Sequence, residues 1–483
     1  MRNILNVIEA IKDEPVINKI KKLAIEEGVS IYLVGGFIRD IILSRKKKFI
    51  DYDFSVSRDA IGFARKLALG LRAGFVVLDE AHGSCRVIIN RDNYITLDFT
   101  DFRGKSIFED LKHRDFTINS LCLDIQNLNR EGAFYDPLNG LSDIKNKIIR
   151  QANPLSIAED PVRILRAFSL SAIFKFKITS DTRLAIKKNL GLLRSSAFER
   201  IREELFKIIE TDQSFGIIRE LDEAKILKIL IPEVVVCYNV DQGPYHHLDV
   251  WEHSLTTLNE LEKLLNLTKS PVIKEYLDEE IAQGHKRIQL IKLAALLHDI
   301  GKPKAKRQLK GKLIFHGHER TGSKMIPEIA ARLKLSGKET DYLRRIIWMH
   351  LRPGYLADLE PLSERAVFSF FRDAHREVLD ILLVSLADQR ATRGPLNTSK
   401  SRENHEKLCA KLIKRFFAER KQKPFKRIIN GNDLKSIGVP ESPIMGKILK
   451  ELEELQAEGK IKSKKQARTF AKKFLANLSL KKR

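Results

Sequence analysis

Residues 49–57 read FIDYDFSVS, and their interpretation decides how the N-terminal part of this 483-residue chain is understood. Asp51 and Asp53 stand two apart among aromatic and β-branched neighbours. On a strand, alternate residues share a face, so the two carboxylates stand side by side. Like charges that close raise each other's pKa unless something positive lies between them. Upstream, LVGGFIRD at 33–40 sets Gly35 and Gly36 between a predicted strand, IYLVGG, and a predicted helix, FIRDIILS. Glycine there admits a backbone approach too close for a Cβ, and a helix N-terminus attracts phosphate. Downstream, the predicted strand YITLDFTDF carries Asp98, in reach of the same face. Two or three carboxylates beside such a turn suit two Mg²⁺ ions and in-line transfer from a triphosphate. Solvated acids on an edge strand have the same spacing, and spacing alone does not separate the two.

Composition narrows the partners. Lysine and arginine outnumber the acids 87 to 63, a formal charge of +24 that favours a polyanion, nucleic acid or an anionic membrane. The four cysteines form no CxxC pair, so neither a disulfide framework nor a zinc ribbon is indicated. The N-terminus, MRNILNVIEAIKDEP, does not resemble a signal peptide. The longest apolar run, IQLIKLAALLHDIGK, is too short for a bilayer and is broken by Lys292, so the chain is expected in the cytoplasm with no membrane partner.

Strand and helix signals mix up to residue 150, where GFVVLDE and SCRVIIN are further predicted strands. From about Asp160 onwards, EDPVRILRAFSLSAIF, ERIREELFKIIE, RIQLIKLAALLHDI and KILKELEELQAEG show helical i, i+3, i+4 spacing. The fold class expected is α+β: a small α/β domain followed by a long helical part. The polar stretch ATRGPLNTSKSRENHEK marks a boundary before a basic C-terminal segment.

The order of LVGGFIRD…DYDF, EDLKHRDFTINS, YDPLNGLSDIKNKIIR, EDPVRILRAF and ERIREEL resembles the motifs of class II tRNA nucleotidyltransferases and bacterial poly(A) polymerases. The resemblance implies a DNA polymerase β-like nucleotidyltransferase head at 1–150 and a helical neck at 151–240 that recognises the nucleotide base and binds RNA. It puts Mg²⁺ ligands at Asp51 and Asp53, and a third catalytic acid at Asp98, where Glu is the residue expected in many members. Gly35, Gly36 and Arg39 match the phosphate-handling turn; Arg114, Asp115 and Asn119 match the group contacting triphosphate and ribose. His113 and Ser120 replace the Arg and Ala usual in that motif.

In EDPVR, helical spacing puts Asp160 and Arg163 on one face. The acid can accept from the exocyclic amine of cytosine or adenine, and the arginine can donate to ring nitrogen and O2. Guanine and uracil mispair with both. Taken without its neighbouring motifs, the pair reads as a surface salt bridge.

Histidines dominate the next region: HHLDVWEHSL, LLHDIGK, FHGHERTG, MHLRPG, then LADQRATRG. Imidazole and carboxylate together bind divalent metals. The series resembles the HD superfamily of metal-dependent phosphohydrolases, expected here at 241–400. It implies His253, His298, Asp299 and Asp388 as ligands of a divalent metal, His318 and His350 as a second site or phosphate contacts, and His247 and His316 as alternates. The implied accessory activity is phosphatase or phosphodiesterase, by metal-activated water. The tail, 401–483, resembles the tRNA-binding segment of nucleotidyltransferases that carry an HD domain.

The resemblance therefore implies a Mg²⁺-dependent enzyme that builds or repairs the CCA end of tRNA from CTP, with ATP as a second candidate substrate. Only GKSIFEDLKH lies between Arg103 and Arg114, where full CCA-adding members carry a flexible loop. The shortness favours a CC-adding enzyme working with a separate A-adding partner. The alternatives are full CCA addition and a poly(A) polymerase-like activity.

Overall fold

A computed structural model describes residues 2–45, 50–90, 94–128, 132–268, 270–420 and 425–480. Phe49 and residues 91–93 lie outside them. The chain divides into two compact units, Met1–Thr211 and Asp212–Arg483.

The first unit is built on a seven-stranded mixed sheet. Its strands are β1 (Ile31–Val34), β2 (Ile50–Val56), β3 (Gly74–Asp79), β4 (Ser84–Asn90), β5 (Tyr94–Asp101), β6 (Cys122–Asp124) and β7 (Phe134–Tyr135). The order is β3-β4-β5-β2-β1-β6-β7, and β2 and β5 are parallel neighbours at its centre. Alternation along β2 does the sorting that the sequence predicts: Tyr52, Phe54 and Val56 are buried. Phe54 stacks on Phe99 of β5 with centroids 5.0 Å apart. Burying side chains of this size contributes about 1.5–3 kcal/mol each. Asp51 and Asp53 alternate with them, so their backbone is held by the core beneath.

The turn from β1 into helix Gly36–Ile42 needs its first glycine. Gly35 has φ +80, and a Cβ there would lie 3.0 Å from Asp53 Oδ2 and 3.3 Å from Arg114 Nη1. Thr117–Asn119 forms one 3₁₀ turn, buttressed by Asp143, whose Oδ2 accepts from Thr117 Oγ1 at 2.6 Å. A Cβ on Gly140 would meet the Thr117 carbonyl oxygen at 2.2 Å, so only glycine fits there.

EDPVR departs from its predicted conformation. The short helix Ser156–Glu159 ends at Asp160, which is extended (φ −144, ψ 97), and a new helix, Arg163–Phe174, begins three residues later. Pro161 explains the break, because it disfavours helix at the residue before it. The Asp160 carboxylate caps the turn by accepting from Val162 N at 3.3 Å. Asp160 and Arg163 are therefore not on one helical face.

Among the described residues the second unit is helical, apart from two small two-stranded ribbons. Lys292, the charge that interrupts the apolar run, is 3% exposed and bonds Glu262 Oε1 at 2.9 Å. Glu262 in turn accepts from Ser214 N at 2.8 Å, so the buried charge is paired inside the core. Helix Ser399–Arg420 starts within the polar stretch read as a boundary and buries His405, Leu408, Cys409, Leu412 and Phe416. Ile429, Leu434, Val439, Ile448, Leu452 and Ile461 give the tail a core of its own. All four cysteines are free and buried, and burial pushes each thiol up to about 12. No described helix is long and apolar enough to cross a membrane.

Candidate active site and candidate metal centre

The parallel pairing of β2 with β5 sets Asp53 directly opposite Asp98 and Asp51 opposite Thr96, whose hydroxyl donates to Asp51. Asp98 in turn faces Arg86 across the antiparallel β4–β5 pair. Arg86 Nε and Nη2 each donate to Asp98 at 2.7 Å, a bidentate ion pair. The third acid is thus held by an arginine on the strand beyond it. Asp51, Asp53 and Asp98 are not among the groups of three or more whose donor atoms lie within 4.8 Å of one another in the described residues. Burial raises the Asp53 carboxyl above its ordinary value, and Asp98 and Asp51 add to the rise against the pull of Arg114 and Arg166. A divalent cation beside Asp51 and Asp53 would offset that mutual repulsion, so this pair fits such an ion.

A pocket of about 240 Å³ opens over this face. Its lining brings together Gly35, Gly36, Asp53, Asp98, Arg114, Asp115, Asn119, Asp160 and Arg163, drawn from five separate motifs. Arg114 Nη2 donates to Ser55 Oγ at 3.0 Å, and Ser55 Oγ donates to Asp110 Oδ2 at 2.8 Å. Two predicted residues are not in this lining: Asp51, which is exposed at the start of β2, and Arg39. Arg39 is buried, bonded to Asp40 and Asn119, and lies over the Phe174 ring, 4.4 Å from its centroid. It orients Asn119 from beneath rather than lining the pocket.

Asp160 and Arg163 reach the pocket despite the broken helix. Arg163 Nη1 donates to Ser156 Oγ at 2.8 Å and to the carbonyls of Ser156 and Arg114; Nη2 donates to the His113 carbonyl at 2.8 Å. The guanidinium is rigidly aimed by backbone. Asp160 is gripped from helix Phe198–Glu210 by Arg200, through Nη1 at 3.2 Å and Nη2 at 2.6 Å. Asp115 accepts from Phe116 N, from Asn119 Nδ2 and from Arg166 Nε at 2.5 Å. Arg86, Arg166 and Arg200 escaped the sequence reading. For Arg166 the signal was its i+3 position after Arg163; for Arg86, its place on the hairpin facing Asp98.

The second unit holds a different cluster. His253 lies in helix Val250–Leu267, and His298 and Asp299 follow helix Arg287–Leu297. His318 opens helix His318–Arg332, His350 closes Gly337–Met349, and Asp388 comes from Val378–Ala391. His253 Nε2 lies 2.9 Å from Asp388 Oδ1, and His298 Nε2 lies 3.1 Å from Asp299 Oδ2. His318 and His350 present Nε2 to Asp299 Oδ1 at 3.1 and 3.8 Å. Three imidazoles have their Nδ1 fixed by a carbonyl three residues earlier: His298 on Ala295, His318 on Phe315 and His350 on Ile347. Such bonds set the tautomer and leave Nε2 free to bind metal.

Three overlapping groups here could hold an ion: His253–His298–Asp299, His298–His350–Asp388 and Asp299–His318–His350. Burial opposes ionisation of Asp299 and Asp388, yet His298 with Lys302, and His253 with His298, hold the two carboxyls well below the usual range. Burial and the neighbouring His298 and His318 push His350 down to about 3, leaving a neutral ligand imidazole. Both Asp299 oxygens and His298 Nε2 are buried without a well-directed hydrogen bond, and this donor set fits a divalent cation. Neither His247 nor His316 belongs to these groups. The nearby residue of that kind is His246, whose ring lies edge-on to His253 with centroids 4.7 Å apart. Lys302, whose Nζ is 2.5 Å from Asp299 Oδ2, is a further member.

A sheet presenting paired acids beside a glycine turn, followed by a helical imidazole–carboxylate cluster, defines a nucleotidyltransferase head joined to an HD-type domain. Comparison with known proteins agrees. Residues 31–150 match the poly A polymerase head domain, 175–237 the "probable RNA and SrmB-binding site of polymerase A", and 250–393 the HD domain. The chain is 29% identical to an A-adding tRNA nucleotidyltransferase of Deinococcus radiodurans, over 92% of this chain and 95% of that one. It is 26% identical to a CC-adding enzyme of Thermus thermophilus, over 90% and 92%. A multifunctional CCA protein of Legionella pneumophila is 30% identical, over 69% and 77%. The fold is shared with the Thermotoga maritima CCA-adding enzyme solved with tRNA, at 21% identity, TM-score 0.63 and 98% coverage of both chains. The chain belongs to the tRNA nucleotidyltransferase family and is an enzyme of that class.

Proposed function

We propose that the head adds cytidines to the 3′ end of tRNA without a nucleic-acid template. The observation that carries this reading is the convergence of the glycine turn, Asp53, Asp98, Arg114, Asp160 and Arg163 on one pocket. The tRNA 3′-hydroxyl attacks the α-phosphate of CTP, and pyrophosphate leaves. Asp51 and Asp53 would hold Mg²⁺, which would supply activation of the hydroxyl and neutralisation of the triphosphate. Arg114, pressed against Gly35, steadies the phosphates, while Asp115 and Asn119 face the ribose. Asp160 accepts from the amine of the base, and Arg163 donates to its ring nitrogen.

The connection after Arg103 favours CC addition. Ser106 caps a short helix, Ile107–Lys112, by accepting from Glu109 N, and buried Asp110 accepts from Arg103 N at 3.1 Å and from Ser55. It is a folded strut rather than a loop that re-forms the pocket for ATP. A separate A-adding enzyme would then complete the end. Relatives of the chain carry A-adding, CC-adding and multifunctional names, so the assay decides. Purified protein is incubated with a tRNA lacking its 3′ end, CTP and ATP. Products ending in CC support the proposal; adenosine after two cytidines ends the CC-only reading. In the second unit, the imidazole–carboxylate cluster supports an accessory metal-dependent phosphohydrolase.

A further inference from the structure

The helices His318–Arg332 and Gly337–Met349 each have two working sides. Their ends deliver His318 and His350, both buried, to the metal cluster. Their exposed sides border a different cavity, of about 470 Å³, lined by Arg320, Lys324, Arg344, Arg345, Trp348 and His375 together with Asp341 and Asp373. Helical spacing makes this one surface, since Arg320 and Lys324 are i, i+4 and Asp341, Arg344 and Trp348 follow i, i+3, i+7. Trp348 is 46% exposed, unusual for so large an apolar ring.

The charges around it do not cancel. Asp341 pairs with Arg344 at 3.6 Å, and Asp373 pairs with Arg372 at 3.0 Å and Lys450 at 3.8 Å. Arg345 is 3.5 Å from Glu377. Arg320 and Lys324 have no ion pair among the described residues, so two cations stand free beside an exposed indole. Free cations attract phosphate, and an exposed indole offers a face on which any base can stack. A cavity of this volume is in the range of small-ligand sites.

We propose that this surface binds a nucleotide unit, its base stacked on Trp348 and its phosphate held by Arg320 and Lys324. The unit belongs either to a single-stranded RNA or to a free mononucleotide, and the test separates them. The chain has two tryptophans, Trp251 and Trp348, and residues 1–211 contain none. Trp251 is 2% exposed. Quenching of tryptophan emission therefore reports this surface, not the nucleotide pocket of the head.

The full chain is titrated with CMP and, separately, with a short oligocytidylate. Saturable quenching by the oligomer alone identifies an RNA strand; equal quenching by both identifies a free nucleotide. Arg320→Ala with Lys324→Ala should weaken the binding about tenfold and flatten its salt dependence. Trp348→Phe should leave an emission that neither ligand changes, and CTP incorporation should persist in both variants. Emission unresponsive to both ligands overturns the proposal. So does quenching of undiminished affinity in the Arg320→Ala, Lys324→Ala variant.

Discussion

The two acidic clusters of this chain solve the same electrostatic problem in opposite ways. In the head, Asp98 on β5 and Asp115 and Asp160 outside the sheet line one pocket, and an arginine from another element pairs with each: Arg86 with Asp98, Arg166 with Asp115, Arg200 with Asp160. In the second unit, Asp299 is 1% exposed at its side chain and faces imidazoles whose outer nitrogens are tied to backbone carbonyls. The open arrangement can admit a triphosphate and exchange partners during a reaction. The closed one holds its donors in place through helix ends. A site that must take up a large anion is built from ion pairs that can reorganise, and a site that holds a small cation from preset ligands.

The largest effect should come from removing the head's paired acids. Asp51→Ala with Asp53→Ala should lower CTP incorporation by about a thousandfold or more, with tRNA binding retained in a filter assay. Retained incorporation would break the comparison at its root. Next, Asp160→Ala removes one half of the proposed base-reading pair. It should weaken discrimination of CTP against UTP by about 10- to 100-fold in kcat/KM, the range for one well-placed pair of bonds to a base.

Stability sharpens the contrast within the head. Burial raises the Asp115 carboxyl, but Arg166 and Asn119 outweigh it and leave the group below its ordinary value. Its stabilising contribution is therefore complete above the unfolded carboxylate value of about 3.9 and is lost as pH falls through the lower folded value. Asp115→Asn should cost about 1–3 kcal/mol in urea unfolding at neutral pH. The gap from the unaltered chain should close as the pH is taken down through that window. The smallest effect on incorporation should follow His298→Ala with Asp299→Ala. Elemental analysis should find less bound divalent metal than in the unaltered chain, while CTP incorporation stays within about twofold. A larger fall would mean that the two sites are not energetically separate.

Much of this was legible from the sequence where a residue's role follows from local geometry. Strand alternation placed Asp51 and Asp53 on one face, the glycine pair marked the tight turn, and the histidine series named the cluster that helices bring together. The first of these depends on the strand period of two residues, which neighbouring residues impose, and the histidine series was legible through its resemblance to the HD superfamily. EDPVR misled the same reasoning. Its spacing is helical, but Pro161 stops the first helix at Asp160, and the two side chains meet the pocket from separate segments.

By itself, then, the sequence determined the α+β order, the paired acids and the ordered set of imidazoles and carboxylates. Only the tertiary structure decided which side chain partners which: that Arg86 grips Asp98, that Arg200 holds Asp160, that Arg39 supports Asn119 from below, and that His246 rather than His247 lies against His253. The reason is physical. A long flexible arginine can reach many acids, and its choice is set by strand register and helix packing between residues far apart in sequence, as for Arg200 and Asp160, 40 positions apart.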